Sequence, residues 1–132
     1  MIYGLGTDIV QVNRMKKWIN TEGMVQRFFN SEELMENGSE NARCQHYAAR
    51  FAAKEAFSKA LGTGITGFKL TDLYITKNEE GKPFLNVKDS AADVLKKRCG
   101  NCFLHVSLSH EKEYATAVVI IESEGEDGRK NS

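Results

Sequence analysis

Six side chains between Arg50 and Lys59 have the types and the spacing to handle a polyanion. In Arg50-Phe51-Ala52-Ala53-Lys54-Glu55-Ala56-Phe57-Ser58-Lys59-Ala60 a helical period puts Arg50, Lys54 and Ser58 on one line. It puts Phe51, Glu55 and Lys59 on the next. Cations and a hydroxyl neutralise and hydrogen-bond phosphate oxygens, and a carboxylate among them can hold a divalent cation. Gly62-Thr63-Gly64 follows at once as a helix stop and a turn, and its N–H groups can face an anion. A Glu four residues before a Lys is also what a solvated helix pair looks like, worth ~0.2–0.5 kcal/mol. The stretch by itself leaves that reading open.

A second acid stands near the N-terminus. Ile2 to Val10 reads as a strand, with Gly4, Gly6, Asp8 and Val10 on one face. Asp is depleted in strands, and two glycines on its face leave room for another backbone or a ligand. A half-buried carboxylate needs a cation, a set of N–H donors or a metal. Asp8 fits such a site and fits equally a cap on the helix that follows.

The remaining elements must position these groups. Ala49, Ala52, Ala53, Ala56 and Ala60 form one narrow stripe, so the long helix is expected to press that face closely against a sheet. Ser39 or Asn41 caps its start. Residues 11–19 read as a short helix with Arg14, Lys16, Lys17 and Trp18 around its sides; an exposed Trp beside three cations would suit an acidic, partly apolar partner, while a buried Trp is the default. Asn30-Ser31-Glu32-Glu33 fits a capping box. Leu70 to Thr76 and Pro83 to Val87 read as a hairpin, Ser90 to Arg98 as a helix, and Cys102 to His110 with Tyr114 to Ile121 as a second hairpin. Residues 1–121 are expected to form one domain, and 122–132 a charged, disordered tail.

Composition narrows the class. The 132 residues suit one domain, 41% are hydrophobic, and 18 basic residues balance 18 acidic ones. Zero net charge gives no electrostatic reason to bind nucleic acid. No apolar run reaches the ~20 residues of a membrane helix, and no signal-peptide pattern is seen, so a cytoplasmic location is expected. Cys44, Cys99 and Cys102 are an odd set, which argues against a disulfide framework. Cys99 and Cys102 have CxxC spacing without a second pair or nearby histidines, so they are read as flanking a loop before a strand.

With these residues placed, the chain resembles the holo-acyl-carrier-protein synthases, the small bacterial-type 4′-phosphopantetheinyl transferases. The resemblance covers residues 1 to about 121 and rests on four ordered blocks. These are Ile2-Tyr3-Gly4-Leu5-Gly6-Thr7-Asp8-Ile9, the Arg50–Ala60 stretch, Gly81-Lys82-Pro83, and His105-Val106-Ser107-Leu108-Ser109-His110. It implies an α+β fold, an antiparallel sheet packed around one long helix, assembled as a homotrimer with active sites at subunit interfaces. It implies Mg²⁺ held by Asp8 and Glu55, with Lys59 stabilising the transferred phosphate or the leaving oxygen. It places coenzyme A among Arg50, Phe51, Lys54, Ser58, Lys59, Gly62, Thr63, Gly64, Pro83, Ser109 and His110. Apo-acyl carrier protein is the implied partner, docking on Arg14, Lys17, Trp18 and Arg27, and a metal-held water near Asp8 or Glu55 is preferred to Lys59 as general base. The chain departs from the family between the first two helices, where Asn20 to Gln26 carries no cation. Two rival readings remain: a module that binds coenzyme A or another nucleotide without turnover, and a structural oligomer in which Glu55 and Lys59 merely pair.

Overall fold

The computed structural model describes residues 1–124. At its centre is α3 (Glu40–Leu61), 22 residues long. Ser39 caps it, the hydroxyl accepting from the Ala42 N–H at 3.0 Å. It ends where Gly62 enters the left-handed region at φ 88°, a conformation in which glycine carries no Cβ penalty.

Helix α3 lies on one face of a three-stranded antiparallel sheet of order β1-β5-β4, formed by β1 (Ile2–Gln11), β5 (Tyr114–Ser123) and β4 (Cys102–His110). Period-2 alternation turns Gly4, Gly6 and Val10 of β1 and Ala115, Ala117, Val119 and Ile121 of β5 toward the helix. The alanine stripe meets them. A Cβ on Gly6 would overlap the carbonyl oxygen of Ala56, and one on Gly4 that of Ala60. The strand glycines and helix alanines are therefore two halves of one close backbone approach, which draws Asp8 up to the helix. The sheet's other face shows Leu5, Ile9, Val118 and Phe103 to solvent, each more than a third exposed.

A separate two-stranded hairpin, β2 (Leu73–Lys77) with β3 (Pro83–Val87), pairs Leu73 with Val87 and Lys77 with Pro83. Its loop closes on Asn78, whose Oδ1 accepts from the N–H groups of Glu80 and Lys82. Helix α4 (Asp89–Cys99) follows. The Asp72 carboxylate accepts from the backbone N–H and hydroxyl of Ser90 at its start, and those bonds hold its pKa below the usual value.

Four expectations change at element ends. The helix expected over 11–19 divides into a 3₁₀ turn, Val12–Arg14, and α1 (Met15–Ile19); α2 (Met24–Phe28) follows. The strand expected from Leu70 begins at Leu73, because Leu70–Asp72 is a 3₁₀ turn. Strand β5 runs past 121, with Glu122 opposite Ile2 and Phe103, since β1 and β4 are both long enough to pair it. The disordered tail thus cannot start at 122, and its residues 125–132 lie outside the described part. Finally, Cys99 and Cys102 are disulfide-bonded across the turn from α4 into β4, their Cα atoms 6.4 Å apart, although three cysteines argued against pairing. Cys44 is free and buried. No helix among the described residues is long and apolar enough to cross a membrane.

Candidate active site

Helix α3 presents different chemistry on its two flanks. On the β1 flank, Lys59 Nζ lies 3.1 Å from Asp8 Oδ1 and 3.0 Å from the Thr7 carbonyl oxygen. Glu55, one turn earlier, is half-buried. Desolvation and the negative charge of Asp8 push its pKa up, against the opposing pull of Lys59 and Arg14. A carboxylate whose ionisation a second carboxylate opposes is one that a cation between them relieves. Magnesium typically takes one or two carboxylates and completes its shell with waters and substrate phosphates. The donor set fits that ion, although among the described residues no group of three or more His, Cys, Asp or Glu surrounds one point.

Beside the pair is an aromatic wall. Phe51 is 6% exposed; the Trp18 ring meets it edge-on at 5.1 Å and packs on Phe28 at 4.9 Å. The Arg14 guanidinium stands over Phe51, 5.3 Å from the ring centre. Arg14 therefore faces the carboxylates as well as solvent. Lys17 is exposed on the same short helix, and Arg27 leans over Phe28 at 6.0 Å.

On the opposite flank a cleft of about 460 Å³ is walled by His46, Ala49 and Arg50 of α3, Gly81 and Pro83 of the hairpin, and Ser109 and His110 of β4. Arg50 is only 7% exposed. Its Nη1 donates to the His46 carbonyl oxygen at 3.2 Å, but its buried Nε has no partner. Burial lowers its pKa, and the Glu33 carboxylate opposes that. Arg50 lines that cleft, and a guanidinium on a cleft wall suits an oxyanion, although its unpaired Nε is itself shut away from solvent.

Two expected site residues face elsewhere. Lys54 is 1% exposed. Its ammonium sits 2.8 Å from Glu33 Oε1 and donates to the carbonyl oxygens of Leu70 and Leu73. Burial lowers its pKa, and Glu33 raises it. It is a structural cation, with no donor to offer coenzyme A. Ser58 is likewise 1% exposed and turns its hydroxyl back to the Glu55 carbonyl oxygen at 2.7 Å. At the helix end, the Thr63 hydroxyl donates to the Gly64 carbonyl in an exposed turn. His46 and Lys77, both lining the cleft, escaped the sequence reading, and Glu33 was read only for the capping box that it does form. His46 could have been found, since it lies one turn before Arg50 on the same line; Glu33 carries no local signal for a partner 21 residues away.

The two half-sites do not meet within one chain. Glu55 and His46 are nine residues apart, about two and a half turns, so they point in opposite directions. Asp8 lies on one edge strand and Ser109 and His110 on the other, with β5 between. A further depression of about 360 Å³ at Gln11, Lys16, Glu40, Cys44 and Lys112 contains none of the expected residues. Its Lys16 is already paired with Glu40 at 3.6 Å.

The pattern of the 4′-phosphopantetheinyl transferase superfamily matches residues 4–119. This chain belongs to that family. Among characterised relatives, it is 49% identical over 123 residues to the holo-[acyl-carrier-protein] synthase of Treponema denticola, covering 92% of this chain and 99% of that one. It is 40% identical over 121 residues to that of Fusobacterium nucleatum, covering 92% and 99%. The holo-[acyl-carrier-protein] synthase of Neisseria meningitidis superposes with a TM-score of 0.80 at 35% identity, covering 93% of this chain and all of that one. The Bacillus anthracis enzyme, solved in complex with CoA (3′,5′-ADP), superposes at 0.75 with 33% identity, covering 94% and 99%.

Proposed function

We propose that this chain is a holo-[acyl-carrier-protein] synthase, moving 4′-phosphopantetheine from coenzyme A to a serine hydroxyl of an apo-acyl carrier protein. The observation that carries the reading is the Asp8–Glu55 carboxylate pair, with Lys59 against it, on a helix whose far flank carries an unpaired buried arginine. Together these are a phosphoryl-transfer centre and a second anion site.

In the reaction the serine oxygen bonds to the β-phosphorus as the bond from that phosphorus to the bridging oxygen breaks. Adenosine 3′,5′-bisphosphate leaves with that oxygen, and the serine proton is released. Asp8 and Glu55 would hold Mg²⁺, which when bound neutralises charge on the diphosphate. A water held near Asp8 or Glu55 would be placed to accept the serine proton. Lys59, 55% exposed, can leave Asp8 to meet the leaving oxygen. Arg50 is matched to the remaining anion of coenzyme A, the 3′-phosphate, with Ser109, His110 and Pro83 completing that cleft.

We place the complete site between copies of the chain. Support comes from the opposed half-sites and from the apolar outer sheet face of Leu5, Ile9, Phe103 and Val118. Joining one flank of a chain to the other flank of its neighbour is a head-to-tail contact, which gives a ring where the rotation between neighbours closes. Three is the number the family resemblance implies. The enzyme would act in the cytoplasm, in support of fatty acid synthesis, with Arg14, Lys17, Trp18 and Arg27 meeting the acidic carrier.

The test is mass spectrometry of apo-acyl carrier protein incubated with this protein, coenzyme A and Mg²⁺. Gain of one phosphopantetheine mass is expected. Binding of coenzyme A without that gain would reduce the chain to a nucleotide-holding module; no binding at all would leave a structural oligomer.

A further inference from the structure

His46 lines the Arg50 cleft, and only one of its two ring nitrogens has a partner among the described residues. His46 Nε2 lies 2.6 Å from the carbonyl oxygen of Glu33. A carbonyl only accepts, so Nε2 carries the proton and donates. Desolvation, reinforced by the charge of Arg50, lowers the ring's pKa from 6.5 to about 4, so at neutral pH it is uncharged. The imidazole is therefore held as one tautomer, and Nδ1 is a bare acceptor. Among the described residues no donor meets it, and since it is not a buried unpaired atom it is open to solvent. Anchoring α3 to the Glu33 turn would account for Nε2 alone, and leaves the acceptor without a role.

The ligand follows from what stands next to that acceptor. If coenzyme A is the substrate, as proposed above, the diphosphate that breaks belongs beside Asp8, Glu55 and Lys59. Arg50 then takes the 3′-phosphate, which is carried on the ribose, and the ribose brings its base into the same cleft. The pantetheine amides lie on the far side of the diphosphate. Ala42, Ala49, Pro83 and Leu108 supply low apolar walls for a flat ring. The donor nearest His46 is then the base's exocyclic amine.

We propose that His46 reads the adenine of coenzyme A, Nδ1 accepting a hydrogen bond from the exocyclic amine, so that this chain selects an amino-purine over an oxo-purine. The inference rests on coenzyme A being the substrate, and its test separates the two. Affinities are measured for coenzyme A, for the analogue with oxygen in place of the adenine amine, and for the analogue lacking the 3′-phosphate. Leaving a polar group unpaired predicts a preference of about tenfold for coenzyme A over the oxo-purine analogue. His46→Phe should erase that preference and keep the preference for the 3′-phosphate, which belongs to Arg50. An oxo-purine analogue bound as tightly as coenzyme A by the wild type, or a preference that survives in His46→Phe, overturns the proposal while the transferase reading stands. Should wild type bind no coenzyme A, both fall. A second readout needs no variant: in ¹⁵N-histidine-labelled wild type, the Nδ1 resonance should move upfield with coenzyme A and not with the oxo-purine analogue. An unmoved resonance in saturating coenzyme A also overturns the proposal.

Discussion

Lys59 and Asp8 bridge the long helix and the first strand through a 3.1 Å ion pair. The lysine is 55% exposed and the aspartate 18%, so the cation is free to exchange partners while the acid stays in place. Such an exposed pair adds little to stability, on the order of 0–1 kcal/mol. In the proposed reaction it would hold a positive charge beside a site where negative charge develops.

Lys59→Ala should therefore lower kcat by about 100-fold or more, the scale seen when one preorganised charge-stabilising donor is lost. Affinity for coenzyme A should change much less, because the interaction is strongest in the transition state. Steady-state kinetics against direct binding decides it. A variant with altered KM and normal kcat would make Lys59 an ordinary binding cation.

Glu55 carries an opposite pair of effects. Its folded pKa is raised by burial and by Asp8, so the folded chain holds that proton more tightly than the unfolded one. The stability this adds is present below the unfolded value and is lost as pH rises through the raised folded value. At neutral pH the ionised side chain is thus a destabilising group. Glu55→Gln should melt higher than wild type at pH 7, converge with it as pH falls, and show no turnover. Added Mg²⁺ should raise the melting temperature of wild type alone. Thermal scans across pH, with and without Mg²⁺, test all three points. A variant that still responds to Mg²⁺ would remove Glu55 from the metal site.

The buried Lys54–Glu33 pair makes the contrary prediction. Removing one partner of a buried ion pair leaves an uncompensated charge, at a cost of about 3–5 kcal/mol. Lys54→Met should fall in that range by urea unfolding, and Lys54→Met with Glu33→Gln should recover part of it. Coenzyme A affinity per folded molecule should be unchanged. If affinity drops while stability holds, Lys54 is a ligand after all.

Arg14 should act on two observables. If it steers the acidic carrier as a rim cation, as proposed above, Arg14→Glu should raise the carrier KM several-fold at low salt. The effect should fade once the screening length nears ~8–10 Å. Because Arg14 also lowers the Glu55 pKa, reversing its charge should raise the pH at which Glu55 titrates in the metal-free protein. A salt series combined with a pH titration measures both. Carrier curves that coincide with wild type at every salt concentration would place docking elsewhere.

Much of this was legible in the sequence because the close-packed parts are written locally. The alanine stripe of α3 and the glycines of β1 are each visible within one element, and they meet as their periods imply. Asp8 and Glu55 each stood out by type and position, but spacing left each with a second reading, and only the family resemblance put them together. Lys54 shows where such reading stops. Helical spacing groups it with Arg50 and Ser58, but spacing cannot reveal that Glu33 and the carbonyls of Leu70 and Leu73 arrive on that line from distant chain. Ser58 adds a second limit, since a helical serine can satisfy itself on its own backbone. The pairing of Cys99 with Cys102 depended on the turn at Gly100, which counting cysteines does not describe.

The opposed flanks of α3 also have a genetic consequence. If each working centre takes one flank from each of two neighbours, a lesion in Asp8 and a lesion in Arg50 damage different sides of a junction. Two dead alleles, Asp8→Asn and Arg50→Ala, should then complement when expressed together. Random mixing in equal amounts would leave both sides intact at about a quarter of the junctions in a head-to-tail ring. Two lesions on the same flank, Asp8→Asn with Glu55→Gln, should never rescue one another.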